Sequence, residues 1–235
     1  MKLVSYKTKK ADRVGIFYEG KVYDLQKSAS SIKIKLPSTM KEFLEGETKF
    51  MNLARKVFSS IKKGKIKSGL KYNGLNLLSP IPYPTSLRDG YAFRQHVFTA
   101  RRNRGVEMIP EFDQFPIFYF GNHNTVFGEG TIKVEDDHLQ KLDFELECAV
   151  VIGNKGKNIS VKDADSYIAG YLIMNDWSAR VLQMDEMKLN LGPAKGKDFA
   201  TSIGPWLVTV EELEPFKIAT QFGNKYDLKM IARHN

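Results

Sequence analysis

Leu142-Asp143-Phe144-Glu145-Leu146-Glu147-Cys148 alternates apolar and acidic residues without interruption. Successive side chains of a strand point to opposite faces. The pattern therefore predicts a strand with Asp143, Glu145 and Glu147 on one side and the apolar residues on the other. Neighbouring carboxylates then stand roughly 7 Å apart along the backbone, near enough for their side chains to converge on one ion. Like charges held together repel unless a cation or a proton relieves them. Hard oxygen ligands of this kind suit Mg²⁺, Mn²⁺ or Ca²⁺. An edge strand with a solvated acidic face would show the same alternation, so the strand alone leaves both readings open. Four histidines and one cysteine are scattered without zinc spacing.

On the C-terminal side, Tyr171-Leu172-Ile173-Met174-Asn175-Asp176-Trp177-Ser178-Ala179-Arg180 passes from an apolar strand through a polar junction into a helical pattern that reaches Met187. Asp176 at that junction is either a metal ligand or the helix N-cap. On the N-terminal side, Ser86 to Arg104 reads as helix, with Ser86 and Asp89 placed to cap its start. Asp89 and His96 are seven positions apart, which on a helix puts them on one face, two turns from each other. Asp89 would then hold an ion while His96 sits above bound substrate, although a lone histidine is more often structural. Leu191-Gly192-Pro193-Ala194-Lys195-Gly196-Lys197-Asp198 invites comparison with a phosphate loop. Its glycine spacing is one residue short, and Asp198 stands where Ser or Thr is required, which excludes the nucleotide reading.

Further out, Leu3–Tyr6, Val14–Tyr18 and Val22–Leu25 read as strands separated by turn signals. Thr39 and Glu42 have capping-box spacing ahead of a helical pattern that runs to Ile61 and breaks at Gly64. Pro80, Pro82 and Pro84 exclude regular helix and place a boundary, dividing the chain into residues 1–79 and 80–235. The 142–152 and 168–174 segments and Ile117–Phe120 and Trp206–Val210 are apolar strands. Tyr226 to Arg233 alternates like another strand and stops at His234-Asn235, which predicts that a C-terminal portion is missing.

The 235 residues are 42% hydrophobic and 27% charged, a balance that excludes a disordered or fibrous chain. No apolar run is long enough to span a membrane. The N-terminus lacks the apolar segment of a secretory signal, and Cys148 cannot form an internal disulfide. Both fit a cytoplasmic protein. A net charge of +9 raises the question of nucleic acid. The basic clusters, Lys62 to Lys67 and Arg101-Arg102-Asn103-Arg104, lack interleaved aromatics and any nucleic-acid motif. A solvated surface, or attraction of a small anionic substrate, accounts for them better.

The order of four segments carries more than any one of them. Arg-Asp-Gly-Tyr at 88–91 with Arg-Gln-His at 94–96, Leu-Asp-Phe-Glu-Leu-Glu at 142–147, Met-Asn-Asp-Trp-Ser-Ala-Arg at 174–180 and Gly-Lys-Asp-Phe-Ala-Thr-Ser-Ile-Gly-Pro-Trp at 196–206 together resemble the fumarylacetoacetate hydrolase family. The resemblance runs from about Pro80 to Val210. It implies an α+β, mostly β fold, a mixed β-sandwich roll preceded by a small N-terminal α/β domain. It also implies Mg²⁺, or Ca²⁺ or Mn²⁺, held by Asp89, Glu145, Glu147 and Asp176, with Asp143 outside the ligand set. His96 falls on the family's catalytic base. Lys197, Gln183 and Arg180 fall on groups that stabilise an oxyanion, and Tyr91, Tyr119 and Thr201 on substrate contacts. The implied activity is hydrolysis of a carbon–carbon bond in a 1,3-diketo acid of the fumarylacetoacetate or acylpyruvate type, as in aromatic amino-acid degradation. Other chemistries of the scaffold are oxaloacetate decarboxylation, hydroxydienoate isomerisation and sugar-acid dehydration, and the alternative outside catalysis is a metal- or carboxylate-binding relative. The implied partners are a small anionic keto acid and a second copy of the chain, with no nucleic acid and no membrane. Met187 stands where the family has a further tyrosine, and Arg101, Arg102 and Arg104 compete for one substrate-binding arginine. Family chains continue into a Gly- and Thr-rich loop and a glutamate that orients the histidine.

Overall fold

The computed structural model describes residues 1–190 and 192–234. Leu191, which opens the glycine-containing stretch, and Asn235, where the alternation after Tyr226 stops, lie outside the described residues. The chain begins with strands β1 (Lys2–Lys7), β2 (Asp12–Tyr18) and β3 (Lys21–Asp24), then helices α1 (Leu25–Ser31), α2 (Met40–Glu45) and α3 (Glu47–Lys62). Next come β4 (Leu70–Lys71), β5 (Asn76–Leu77), β6 (Leu87–Asp89), α4 (Arg94–Asn103), β7 (Tyr119–Gly121) and β8 (Val126–Phe127). Helix α5 (Asp136–Leu139) leads to β9 (Leu142–Asp143), β10 (Leu146–Ile152), β11 (Ile168–Asp176) and β12 (Ser178–Ala179). The last elements are α6 (Arg180–Lys188), β13 (Thr201–Thr209), β14 (Lys217–Thr220) and β15 (Gly223–Tyr226).

The main sheet runs β10-β11-β13-β1-β2-β3-β4, with β5 on β1 and β8 on β13, and the described residues form no closed barrel. The α+β, mostly β expectation therefore holds. Strand β1 alternates Leu3 and Ser5 with Val4 and Tyr6, and all four are buried, so both faces of the sheet are covered here. Leu3 joins the larger core, with Ile16, Leu25, Phe43, Val57, Leu172, Met174 and Leu207. Val4 and Tyr6 join the smaller one, which Phe17, Tyr72 and Trp206 complete. Antiparallel pairing of Leu3 with Leu207 links residues before and after the proline-rich stretch in one sheet.

Four elements differ from the sequence expectation. The helical run after Thr39 divides at Gly46, where any Cβ would fall inside the Phe50 ring. The segment from Ser86 is a strand up to Asp89, paired with β7, and helix begins only at Arg94. A Cβ on Gly90 would lie 2.4 Å from the Ile117 carbonyl oxygen, so glycine admits β7 alongside. The acidic strand is interrupted at Phe144 and Glu145. There β9 pairs with β12 while β10 pairs with β11, and the Asn175 side chain takes the Glu145 amide. The alternation after Tyr226 adds no strand beyond β15 among the described residues.

Candidate metal centre

Strand pairing brings the acids together. Residues directly opposite each other in an antiparallel pair project to the same face. Glu147 on β10 lies opposite Met174 on β11, and Asp176, two residues further along β11, lies opposite Thr201 on β13. Met174 belongs to the larger core, so the acidic residues continue the core face of the sheet to its end. The apolar side of this edge points outward instead, with Val150, Ile152 and Ile173 exposed. Asp89 arrives on the separate β6–β7 ribbon, opposite Tyr119.

One carboxylate oxygen from each of Asp89, Glu147 and Asp176 lies within 4.8 Å of the other two. The Tyr119 hydroxyl sits 2.9 Å from Asp89 Oδ2 and 3.1 Å from Asp176 Oδ2, spanning two of the acids. Asp176 is 3% exposed and is the last residue of β11. The N-cap of α6 is Ala179, so the helix-cap reading of Asp176 is excluded. Glu145 stands beside this trio and is held by cations, with Arg180 Nη1 at 2.8 Å and Lys197 Nζ at 3.0 Å.

Lys197 is 5% exposed. Its ammonium donates to Asp176 Oδ2 at 2.5 Å and Ser178 Oγ at 2.7 Å, besides Glu145. All three of its N–H bonds thus have protein acceptors. Arg180 is similarly committed: its guanidinium pairs with Asp143 at 2.7 Å and with Glu145, and donates to Gln183 Oε1 at 3.0 Å. In this arrangement Arg180 holds the acids and Gln183 holds Arg180. Thr201 is buried and lines the cleft with Leu87, Asn122 and Met174. Among the described residues, neither Tyr91 nor His96 lines that cleft, and both are exposed. The helical-face relation expected between Asp89 and His96 is absent, because Asp89 is in a strand and His96 is on α4.

The electrostatics are those of a cation site. Burial pushes the Glu147 carboxyl up to about 8, and the charges of Asp89, Asp176 and Glu145 push the same way. Burial also raises Asp176, to about 6, although Lys197 opposes the rise. For Glu145 burial raises the value, but Lys197 and Arg180 more than offset it, and the carboxyl stays below its ordinary range. Lys197 and Arg180 therefore neutralise one flank of the cluster and leave Asp89 and Glu147 facing each other. A divalent cation with oxygen preference fits that donor set and its outstanding negative charge.

Sequence reasoning missed Ser178, which is fully buried and anchors Lys197, and Asn122, whose amide donates to the Asp198 carbonyl at 3.1 Å. It also missed Glu186. That carboxylate accepts from the amides of Ala194, Lys195 and Gly196 at 3.2, 2.7 and 3.0 Å. Its spacing from Arg180 and Gln183, six and three residues, is the one signal available, since it places all three on one helical face.

The fold and the acids at the end of its core face define a mixed α/β protein with a carboxylate-built site for a hard divalent cation. The chain belongs to the fumarylacetoacetate hydrolase family: the model described as "Fumarylacetoacetate (FAA) hydrolase C-terminal" matches residues 85–235. The fumarylacetoacetase of Oryza sativa subsp. japonica is 39% identical over 143 residues, which is 54% of this chain and 33% of that protein. The oxaloacetate tautomerase YisK of Bacillus subtilis is 31% identical over 219 residues, covering 88% of this chain and 69% of that one. Maleylpyruvate hydrolase from Sphingobium sp. SYK-6, solved with manganese(II) and pyruvate, shares the fold with a TM-score of 0.62 at 15% identity. That match covers 92% of this chain and 70% of the other. The match thus spans about a third of the length of the rice fumarylacetoacetase. No described helix is long and apolar enough to cross a membrane.

Proposed function

We propose that this chain is a divalent-metal-dependent hydrolase that cleaves a carbon–carbon bond in a 1,3-diketo acid of the acylpyruvate or fumarylacetoacetate type. The observation that carries the reading is the convergence of Asp89, Glu147 and Asp176 from three separate strands, with Lys197 at 2.5 Å from Asp176. These three acids and Glu145 would hold Mg²⁺, Mn²⁺ or Ca²⁺. When bound, the ion supplies Lewis acidity toward the keto-acid oxygens and relieves the repulsion within the cluster.

The remaining chemistry belongs to the side chains. With Asp176 and Glu145 serving as ligands, Lys197 would keep Ser178 as its anchor and have N–H bonds to offer a substrate oxygen. His96 takes the proton from the attacking water. It has no hydrogen-bond partner among the described residues and stands on α4, which follows Asp89 and Tyr91 directly in the chain. Water oxygen adds to the distal carbonyl, and Lys197, with Gln183 and Arg180, stabilises the oxyanion. The pair of electrons in the broken carbon–carbon bond leaves with the keto-acid fragment, which is protonated to pyruvate from an acylpyruvate or to acetoacetate from a fumarylacetoacetate-type acid, while the other fragment departs as a carboxylic acid. Tyr91, Tyr119 and Thr201 contact the substrate in this reading, and the excess of basic residues attracts a dianion. We further propose that the chain acts in the cytoplasm as a homodimer, and sedimentation as a monomer alone would exclude the dimer.

A second reading has its own support, since the tautomerase resembles nearly the whole chain whereas the fumarylacetoacetase matches half of it. Tautomerisation needs proton transfer and no water attack. Incubation with acetylpyruvate and with oxaloacetate, in Mg²⁺ or Mn²⁺, separates the two. The hydrolase reading expects acetate and pyruvate in equal amounts, reduced at least tenfold in His96→Ala. Loss of the oxaloacetate enol without cleavage of acetylpyruvate would establish the tautomerase. Oxalate that binds equally well without metal would defeat both.

A further inference from the structure

Helix α6 grips the site from two sides with one face. Arg180 takes Asp143 and Glu145, Gln183 takes Arg180, and Glu186, one turn further, takes the backbone of residues 194–196. The last contact is unusual in kind. Three consecutive amide N–H groups converge on a single carboxylate, the arrangement by which a backbone nest binds an anion. The stretch that resembles a phosphate loop does build an anion cradle, and the chain fills it with its own glutamate.

Lys197 follows that cradle directly. Its amide donates to the Ala194 carbonyl at 2.8 Å, and the Asp198 amide donates to the same oxygen at 2.7 Å, so backbone bonds tie the lysine to the turn. The Ala179 amide, next to Ser178, donates to the Gly196 carbonyl at 2.9 Å. Gly196 itself lies flat on α6, where an added Cβ would sit 2.7 Å from the Gln183 amide nitrogen. The loop is thus pressed against the helix at Gly196 and tied to it at Glu186. The residue so delivered is the buried lysine that meets Asp176, Ser178 and Glu145.

We propose that Glu186 is a positioning residue: its carboxylate, seated in the 194–196 amide cradle, holds Lys197 in register with the carboxylate cluster. The cradle is consequently a site for a small carboxylate, which free acetate or formate enters once the glutamate side chain is removed. The catalytic side of this inference rests on the reading of Lys197 as a substrate-facing group. The positional side does not.

The test uses the full chain and reads position apart from activity. Lysine acetylation by a small reagent, quantified by mass spectrometry, reports access to Lys197, with exposed Lys188 as the internal standard. Glu186→Ala is expected to raise Lys197 labelling at least tenfold while leaving Mn²⁺ affinity within about threefold. It is also expected to lower kcat for the keto acid 10- to 100-fold with a smaller change in KM, and millimolar acetate should reverse both the labelling and the kcat loss. Lys197→Met should lose activity without acetate rescue. Unchanged Lys197 labelling in folded Glu186→Ala overturns the proposal, and so does increased labelling that acetate fails to reverse. Where Glu186→Ala does not fold, Glu186→Gln decides: its single acceptor oxygen should give intermediate labelling, and parental labelling rejects the role. A parent enzyme that turns over no keto acid defeats the proposed function, while the labelling still settles the clasp.

Discussion

Two groups of buried carboxylates in this molecule have opposite electrostatic outcomes. Near the N-terminus, Asp24 accepts from Arg13 at 2.7 and 2.8 Å, from the Tyr6 hydroxyl at 2.8 Å and from the Lys27 amide at 2.9 Å. Burial would raise its carboxyl, but these bonds more than offset burial and hold it below the ordinary range. At the other end of the sheet, burial raises Glu147 to about 8, and every neighbouring carboxylate adds to the rise. Both acids are short of water. They differ in whether the fold supplies enough positive charge. The carboxylate that serves the fold is closed off with cations and donors, whereas the one proposed to serve an ion is left facing other carboxylates.

The contrast breaks most readily at the cluster. Asp176→Asn removes a proposed ligand and the closest partner of Lys197, and is expected to lower Mn²⁺ affinity roughly a thousandfold, about 4 kcal/mol. Glu147→Gln is expected to lower the affinity comparably and, in metal-free buffer, to raise the thermal midpoint, because it relieves repulsion. Calorimetric Mn²⁺ titration paired with thermal melts in chelator checks both. A Glu147→Gln protein that melts below the parent without metal would show that the acids are neutralised within the fold.

The same substitution at the other acid should behave in the reverse way. Asp24→Asn leaves Arg13 without its counter-charge and is expected to cost about 3 kcal/mol in denaturant unfolding, with Mn²⁺ affinity unchanged. Its pH dependence has a fixed sign. The folded-state value of Asp24 is depressed, so its stabilisation is present in full above the unfolded aspartate value, near 4. It is lost as pH falls through the folded value. The Asp24→Asn protein should therefore lose its deficit relative to the parent below about pH 4. A deficit that persists undiminished in acid would mean that the pairing with Arg13 is not its source.

How far each region could be read from the sequence follows from the range of the interactions. The alternation at 142–148 and the junction at Asp176 are local and made Asp143, Glu145, Glu147 and Asp176 candidates, but only the order of the motifs chose among them and set Asp143 aside. The cap signal at Thr39 is equally local, and the structure forms its first half, with Glu42 donating its amide to Thr39 Oγ1, while the Glu42 carboxylate accepts from the Thr39 hydroxyl and not from the Thr39 amide as a capping box requires. Asp89 came from a helical spacing to His96 that the structure does not form and from the order of motifs, because its own segment reads as helix. What makes it a strand is β7, thirty residues away, admitted by Gly90. The break at Glu145 was illegible for the same reason, since the Asn175 side chain and β12 impose it from across the sheet. Glu186 was missed because its partners are backbone amides, which carry no signature in residue type.

The smallest predicted effect tests whether the two contrasted regions share one fate. The proline-rich stretch places a boundary at about residue 80, yet β1 pairs with β13 and the larger core runs from Leu3 to Leu207. Thr39 caps α2, which packs through Phe43 into that core. Thr39→Ala removes one cap bond and is expected to cost about 1 kcal/mol. If sheet and core couple the regions, that loss lowers a single transition, and the apparent midpoint rises with added Mn²⁺ although Thr39 belongs to no ion site. Tyrosine and tryptophan signals should then melt together, because Phe17 of β2 stacks on Trp206 of β13 at 4.8 Å. Two transitions, of which Thr39→Ala moves only the first and Mn²⁺ only the second, would mean that residues 1–79 fold on their own and that the β1–β13 seam joins two finished units.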